Sequence, residues 1–174
     1  MYPLFTAIAI FIADQVSKRL ILTWFSTGEI LPLAGSWLSF TRITNNGCSF
    51  GLTFGNGTTQ FLISFSLVVM LFFMAMRSML PDEARLQKWS ISLILGGTMG
   101  NLLDRLLYGK VVDFIQVRTL SVQWPVFNIA DMAIVLGVSI YCGLYLSGGM
   151  HDYRSRSASC STGEESSKLI PSMS

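Results

Sequence analysis

Two stretches of the chain, Thr58 to Met76 and Met132 to Met150, run without a charged residue over close to the roughly 20 apolar residues that cross a hydrocarbon layer. Both are predicted as membrane-spanning helices. A third uncharged run, Trp89 to Leu103, reaches span length if Asp104 and Arg105 lie at its end, in the interface or facing protein. The first, Tyr2 to Phe25, is apolar but carries Asp14, Lys18 and Arg19. No basic residue precedes its core and no small-x-small cleavage site follows it, so it reads as a retained span rather than a cleaved signal. Between spans, Trp37 to Thr44 is rich in aromatic and β-branched residues and leads into the turn signal Asn46-Gly47. Gln116 to Trp124 alternates in the manner of a strand. Open sheet edges cannot face hydrocarbon, so a small sheet is placed at headgroup depth, with Trp37 and Trp124 as interfacial anchors. The predicted fold class is a membrane α-helical protein, four transmembrane helices with a small outer-face β-sheet formed by the first and third connections.

Composition agrees. Of 174 residues, 51% are hydrophobic and only 13% charged, and the mean hydropathy is +0.54, which is wrong for a water-soluble globule. One membrane domain over residues 1–150 accounts for the apolar runs. Residues 151–174 are Ser-rich with scattered charges, the composition of a disordered tail. Four spans put both termini on one side, together with the loop Leu80 to Gln87. Arg77, Arg85, Lys88, Arg154 and Arg156 outweigh Arg42, Lys110 and Arg118 opposite, so that side is expected to be cytoplasmic. A net charge of +2 from dispersed basic residues gives no nucleic-acid stripe.

The chemistry open to such a chain is narrow. Its single histidine, His151, falls in the tail, which excludes a Ser-His or Cys-His pair within the spans and His-ligated zinc. Cys48, Cys142 and Cys160 have neither metal-ligand spacing nor an even disulfide framework. Ser17 and Lys18 are helical neighbours that diverge, which disfavours a Ser-Lys dyad. Carboxylates are left: Asp14, Asp104, Asp113 and Asp131 lie in or beside the spans. An Asp at a helix centre costs about 2.5–3.5 kcal/mol on insertion scales, so each needs a partner, a proton or water. Asp14 has Lys18 four residues on, a structural pair. Asp104 sits with Asn101, Arg105 and the small residues Gly96, Gly97 and Gly100 in what reads as a polar packing knot.

Asp113 and Asp131 have no reliable basic partner nearby in sequence. One follows the third span and the other opens the fourth, so the outer-face loop between them returns the chain to about the same depth and lets them meet. Close carboxylates share a proton, one acting as base toward water and the other as acid toward a carbonyl. Helix caps are the bland alternative for both. A small ion-conducting bundle using Asp14, Asp104 and Asp131, or a noncatalytic lipid-binding protein, are the other classes open.

Four blocks then carry a family resemblance: Asp14-Gln15-Val16-Ser17-Lys18, Asn45-Asn46-Gly47-Cys48-Ser49-Phe50, Gly96 to Arg105 continuing through Gly109 to Val112-Asp113-Phe114, and Phe127-Asn128-Ile129-Ala130-Asp131. In this order the chain resembles the lipoprotein signal peptidase family, also called signal peptidase II. The resemblance implies an aspartic endopeptidase of the bacterial cytoplasmic (inner) membrane with its active site near the outer face. Asp113 and Asp131 would form its catalytic dyad. The implied substrate is a diacylglyceryl-modified prolipoprotein, cleaved just before the lipidated Cys. Asn45, Asn101, Arg105 and Asn128 would position substrate or dyad, while Asp14, Lys18 and Asp104 would be structural. No cofactor or metal is expected, the expected partners are the prolipoprotein substrate and membrane lipid, and the chain itself is expected to be a monomer. Cys48-Ser49 departs from the Ala-Ala pair common in the family at that place and bears on fine substrate preference.

Overall fold

The computed structural model of the protein describes residues 2–35, 37–45, 47, 57–118 and 124–167. In chain order these form α1 (Tyr2–Trp24), β1 (Ile30–Ala34), β2 (Leu38–Asn45), α2 (Thr58–Met79), α3 (Arg85–Tyr108), β3 (Val111–Val117) and α4 (Ile129–Ser167). Helix α3 is the hub, packing on α1, α2 and α4, whereas α2 among the described residues packs only on α3. Glycines bring the helix backbones together. A Cβ on Gly96 would sit 2.6 Å from the Ala7 carbonyl oxygen of α1, and one on Gly137 would sit 2.6 Å from the Ser90 carbonyl oxygen of α3. Small residues permit such approaches where no hydrophobic effect drives helices together.

Among the described residues, many polar side chains are buried and many large apolar ones exposed. Asp14, Lys18, Ser90, Asn101, Asp104 and Asn128 are buried, while Phe61, Phe65, Val68, Leu71 and Phe72 of α2 are exposed. Apolar side chains outward and polar ones inward suit a lipid solvent. Two segments, Thr58–Met79 and Ile129–Gly148, are long and apolar enough to cross a bilayer by length and composition. Helices α1 and α3 have the length but carry the charges noted above.

Helix α3 ends at Gly109, whose left-handed φ of 69° reverses the chain and lets its N–H return to the Arg105 carbonyl. The β-branched pair Val111-Val112 then starts β3. The three strands form an antiparallel sheet in the order β1-β2-β3, with Ile43 opposite Asp113 and Asn45 opposite Val111. Before α4, Phe127 adds to the free side of β3: its carbonyl accepts from the Phe114 and Ile115 N–H groups. Ile21, Val112 and Phe114 form an apolar cluster under the sheet, joined by Phe40, whose ring meets Phe114 edge-on at 5.9 Å. Arg42 ties β2 to α1 by donating to the Leu22 and Phe25 carbonyls at its C-terminal end.

Three differences from the sequence reading stand out. The second predicted strand, Gln116 to Trp124, is displaced: the observed β3 begins at Val111 and ends at Val117, because pairing with β2 rather than local alternation sets its limits. Strand β1, Ile30–Ala34, forms where the sequence carries no strand signal. It contains Pro32, which an edge strand tolerates. Helix α4 continues to Ser167, so no break in secondary structure marks the change of composition near residue 150. Asn46, Cys48-Ser49 and residues 119–123 of the predicted second strand lie outside the described residues.

Candidate active site

The N-terminus of α4 is closed by two residues acting on each other. Asn128 Oδ1 accepts the Asp131 N–H at 2.9 Å, and Asp131 Oδ2 accepts the Asn128 N–H at 3.3 Å. This is a reciprocal cap with the logic of a capping box, so the bland reading of Asp131 is correct as far as it goes. A cap uses only one carboxylate oxygen. The other, Oδ1, accepts Asn101 Nδ2 from α3 at 2.8 Å.

Asp113 is the third residue of β3 and only 4% exposed. Its Oδ1 accepts Asn128 Nδ2 at 2.7 Å and its Oδ2 accepts Asn45 Nδ2, from the end of β2, at 3.3 Å. Asn128, fully buried, therefore bonds both aspartates, with Nδ2 also 3.2 Å from Asn101 Oδ1 and 3.3 Å from the Val112 carbonyl. Burial, followed by the negative charge of Asp131, pushes the Asp113 carboxyl from 3.8 up to about 7, against the opposing bonds from Asn128 and Asn45.

Below this pair lies an ionic layer. Lys18 Nζ is 2.7 Å from Asp14 Oδ2 and 3.0 Å from Asp104 Oδ2, and it donates to Asn101 Oδ1 at 2.9 Å. Asp14 Oδ1 accepts the Ala130 N–H at 3.0 Å, so α1 also helps to cap α4. Asp104 Oδ2 accepts the Val112 N–H at 3.3 Å and so fixes the start of β3. Gln15, which carried no assigned role in the sequence, donates to Asp104 Oδ1 at 3.0 Å and to the Gly100 carbonyl at 3.2 Å. Its signal was an amide on an apolar helix beside Asp14.

The fold thus gathers Asn45, Asn101, Asp113, Asn128 and Asp131 into one bonded cluster, over Asp14, Lys18 and Asp104. Arg105 flanks it on α3, with Nη1 donating to the Asn101 carbonyl at 3.3 Å. An apolar cleft of about 480 Å³ opens beside Asp131, lined by Trp124, Phe127, Met132, Val135 and Leu136 among others.

The chain matches the model of the signal peptidase (SPase) II family over residues 6–146. It is 42% identical over 139 residues to the lipoprotein signal peptidase of Moorella thermoacetica, covering 80% of this chain and 89% of that one. Against the lipoprotein signal peptidase of Nostoc punctiforme the identity is 40% over 134 residues, 75% of this chain and 82% of the other. Its fold superposes with a TM-score of 0.76 and 28% identity on a bacterial membrane enzyme solved by the in meso method at 2.3 Å resolution, covering 84% of this chain and 88% of that one. With a family match over most of its length, relatives so similar and a membrane enzyme of the same fold, the chain belongs to the signal peptidase II family of membrane peptidases.

Proposed function

We propose that this protein is a four-span aspartic endopeptidase that removes the signal peptide from diacylglyceryl-modified prolipoproteins, cleaving just before the lipidated Cys. The observation that carries the reading is the pair Asp113 and Asp131, joined through the Asn128 side chain at the edge of an apolar cleft. The proton-conduit alternative is disfavoured because Asp14 and Asp104 are closed on Lys18. Residues 1–150 form the peptidase domain and 151–174 a cytoplasmic tail. Both termini are cytoplasmic, α1 and α3 complete the four spans, and the sheet lies at the outer face of the bacterial inner membrane. The enzyme works as a monomer.

The mechanism assigns one proton to the pair. Asp113, whose burial favours its neutral form, holds it, and Asp131 is the anion. Water placed between them loses a proton to Asp131 as its oxygen attacks the scissile carbonyl, while the Asp113 proton passes to the carbonyl oxygen. Collapse of the tetrahedral diol returns that proton to Asp113, and Asp131 delivers its own to the leaving amine. One proton again resides on the pair. Asn45 and Asn128 keep Asp113 oriented, Asn101 and Asn128 do so for Asp131, and Arg105 contacts the substrate. The cleft along α4 receives acyl chains.

Purified protein mixed with a diacylglyceryl-modified prolipoprotein should release a signal peptide whose mass, read by mass spectrometry, ends just before the lipidated Cys. Asp113→Asn and Asp131→Asn should each insert and fold yet lose about 10²–10⁴-fold in turnover. The double variant should be little slower than either, because members of one catalytic unit act non-additively. Near-normal turnover in either single variant, shown free of deamidation, would refute the mechanism.

A further inference from the structure

Spacing alone makes Lys18 the counterion of Asp14 on the same helix, but its ammonium reaches further. Besides the two carboxylates, Nζ donates to Asn101 Oδ1 on α3. An ammonium has three N–H donors and no acceptor, so three acceptors at 2.7, 3.0 and 2.9 Å saturate it. Lys18 is 2% exposed. The consequence falls on Asn101. Its amide oxygen is held by the Lys18 ammonium and by Asn128 Nδ2, so its nitrogen must point the other way, where it meets Asp131 Oδ1 at 2.8 Å. A flipped amide would set N–H against ammonium and oxygen against carboxylate. Both contacts are repulsive.

We propose that Lys18 is a positioning residue for the peptidase reaction: its ammonium locks the Asn101 amide so that Asp131 always receives a hydrogen bond. That bond holds Asp131 as the anionic base and leaves the shared proton on Asp113. The inference rests on the proposed dyad and assigns Lys18 a task beyond neutralising Asp14. The charged groups around it are Asp14 on α1, Asp104 and Arg105 on α3, Asp113 on β3 and Asp131 on α4. Burial and the Asp131 charge dominate at Asp113, and the Lys18 charge also acts there in the opposite sense, so the ammonium is felt at the pair.

The test compares Lys18→Gln, Lys18→Arg and Asn101→Ala in the full chain, each assayed on diacylglyceryl-modified prolipoprotein across pH. Glutamine is neutral. In the folded fraction its kcat should fall about tenfold or more with KM changed less than about threefold. Its bell-shaped pH profile should move upward by roughly half a unit or more, because loss of a nearby cation disfavours ionised carboxylates. Lys18→Arg, which keeps the charge and the donors, should return the bell toward its wild-type position. Asn101→Ala cuts the relay while leaving the ions paired, so it reports even where the glutamine variant does not fold, and it should displace the bell in the same direction. Wild-type kcat and an unshifted bell in folded Lys18→Gln, or an unshifted bell in Asn101→Ala, would overturn the proposal. Wild-type turnover by Asp131→Asn would instead remove the dyad itself, whatever the Lys18 variants do.

Discussion

At the scale of single residues, Asp113 carries a consequence that can be measured without substrate. Its carboxyl titrates near 3.8 in an unfolded chain and is pushed up to about 7 in the folded one, mainly by burial and then by the Asp131 charge. The folded protein therefore binds this proton more tightly than the unfolded chain does. Stability from this source is fully present below pH 3.8 and is lost as pH rises through about 7. A displacement from 3.8 to about 7 corresponds to as much as about 4 kcal/mol. Asparagine cannot ionise, so the thermal midpoint of Asp113→Asn relative to wild type should rise between pH 5 and pH 8. Any fixed cost of disturbing the Asn45 and Asn128 bonds cancels in that comparison. A difference in midpoint that stayed constant with pH would show that Asp113 is already ionised in the folded protein. The nearness of the two was legible in sequence because one follows the third apolar run and the other opens the fourth, and no Lys or Arg lies within a helical turn of Asp131. What Asn128 does was only partly legible. Its spacing to Asp131 signals a cap, but the bond to Asp113 comes from packing of α4 against β3.

At the scale of elements, the site depends on how closely α4 approaches α3. A Cβ on Gly97 would collide with the Ala130 carbonyl oxygen and come within 2.9 Å of Ile134 Cγ1. Ala130 precedes Asp131, so relief of that clash moves the first turn of α4 and the carboxylate with it. Gly97→Ala should destabilise the protein by about 1–3 kcal/mol and reduce turnover per folded molecule as well. Gly143→Ala is the matched control on α4, since nothing lies within 4 Å of its added methyl. It should leave both quantities near wild type or slightly improved, alanine being the better helix former. Equal behaviour of the two variants would mean that the α3–α4 contact does not set the site. The glycines at 96, 97 and 100 announced close helix packing in advance, though not which helix each would meet: Gly96 faces α1, while Gly97 faces α4. Sheet limits were less legible. The limits of β3 come from pairing with β2, which is distant in sequence, whereas β1 pairs with the neighbouring β2 but carries Pro32 and no alternation to signal a strand.

At the scale of the whole molecule, charged and amide side chains such as Asp14, Lys18, Asp104 and Asn128 are buried while large apolar ones along α2 and α4 are exposed, so hydrocarbon rather than water should surround the bundle. The cleft beside Asp131 continues that apolar surface into the site, with Met132, Val135 and Leu136 along its α4 wall. A substrate that carries its own acyl chains can therefore reach the carboxylates laterally from the bilayer. Each CH₂ transferred from water to an apolar wall contributes about 0.8 kcal/mol, but a chain already in lipid gains little of this on entering the cleft. The advantage of lipidation should then lie in concentration and orientation: diacylglycerol holds the scissile bond at headgroup depth, where Asp113 and Asp131 are proposed to wait. On this account lipidation should raise cleavage strongly even when modified and unmodified precursors are brought to equal density in the same vesicles. Widening the polar content of the cleft, by Val135→Ser, should weaken the preference for the lipidated precursor while leaving the folded amount unchanged, because Val135 is 65% exposed and makes little of the core. Initial rates on paired vesicle preparations would measure both effects. Equal cleavage of the two precursors at matched density would mean that the cleft does not read the acyl chains, and the site would have to recognise peptide alone.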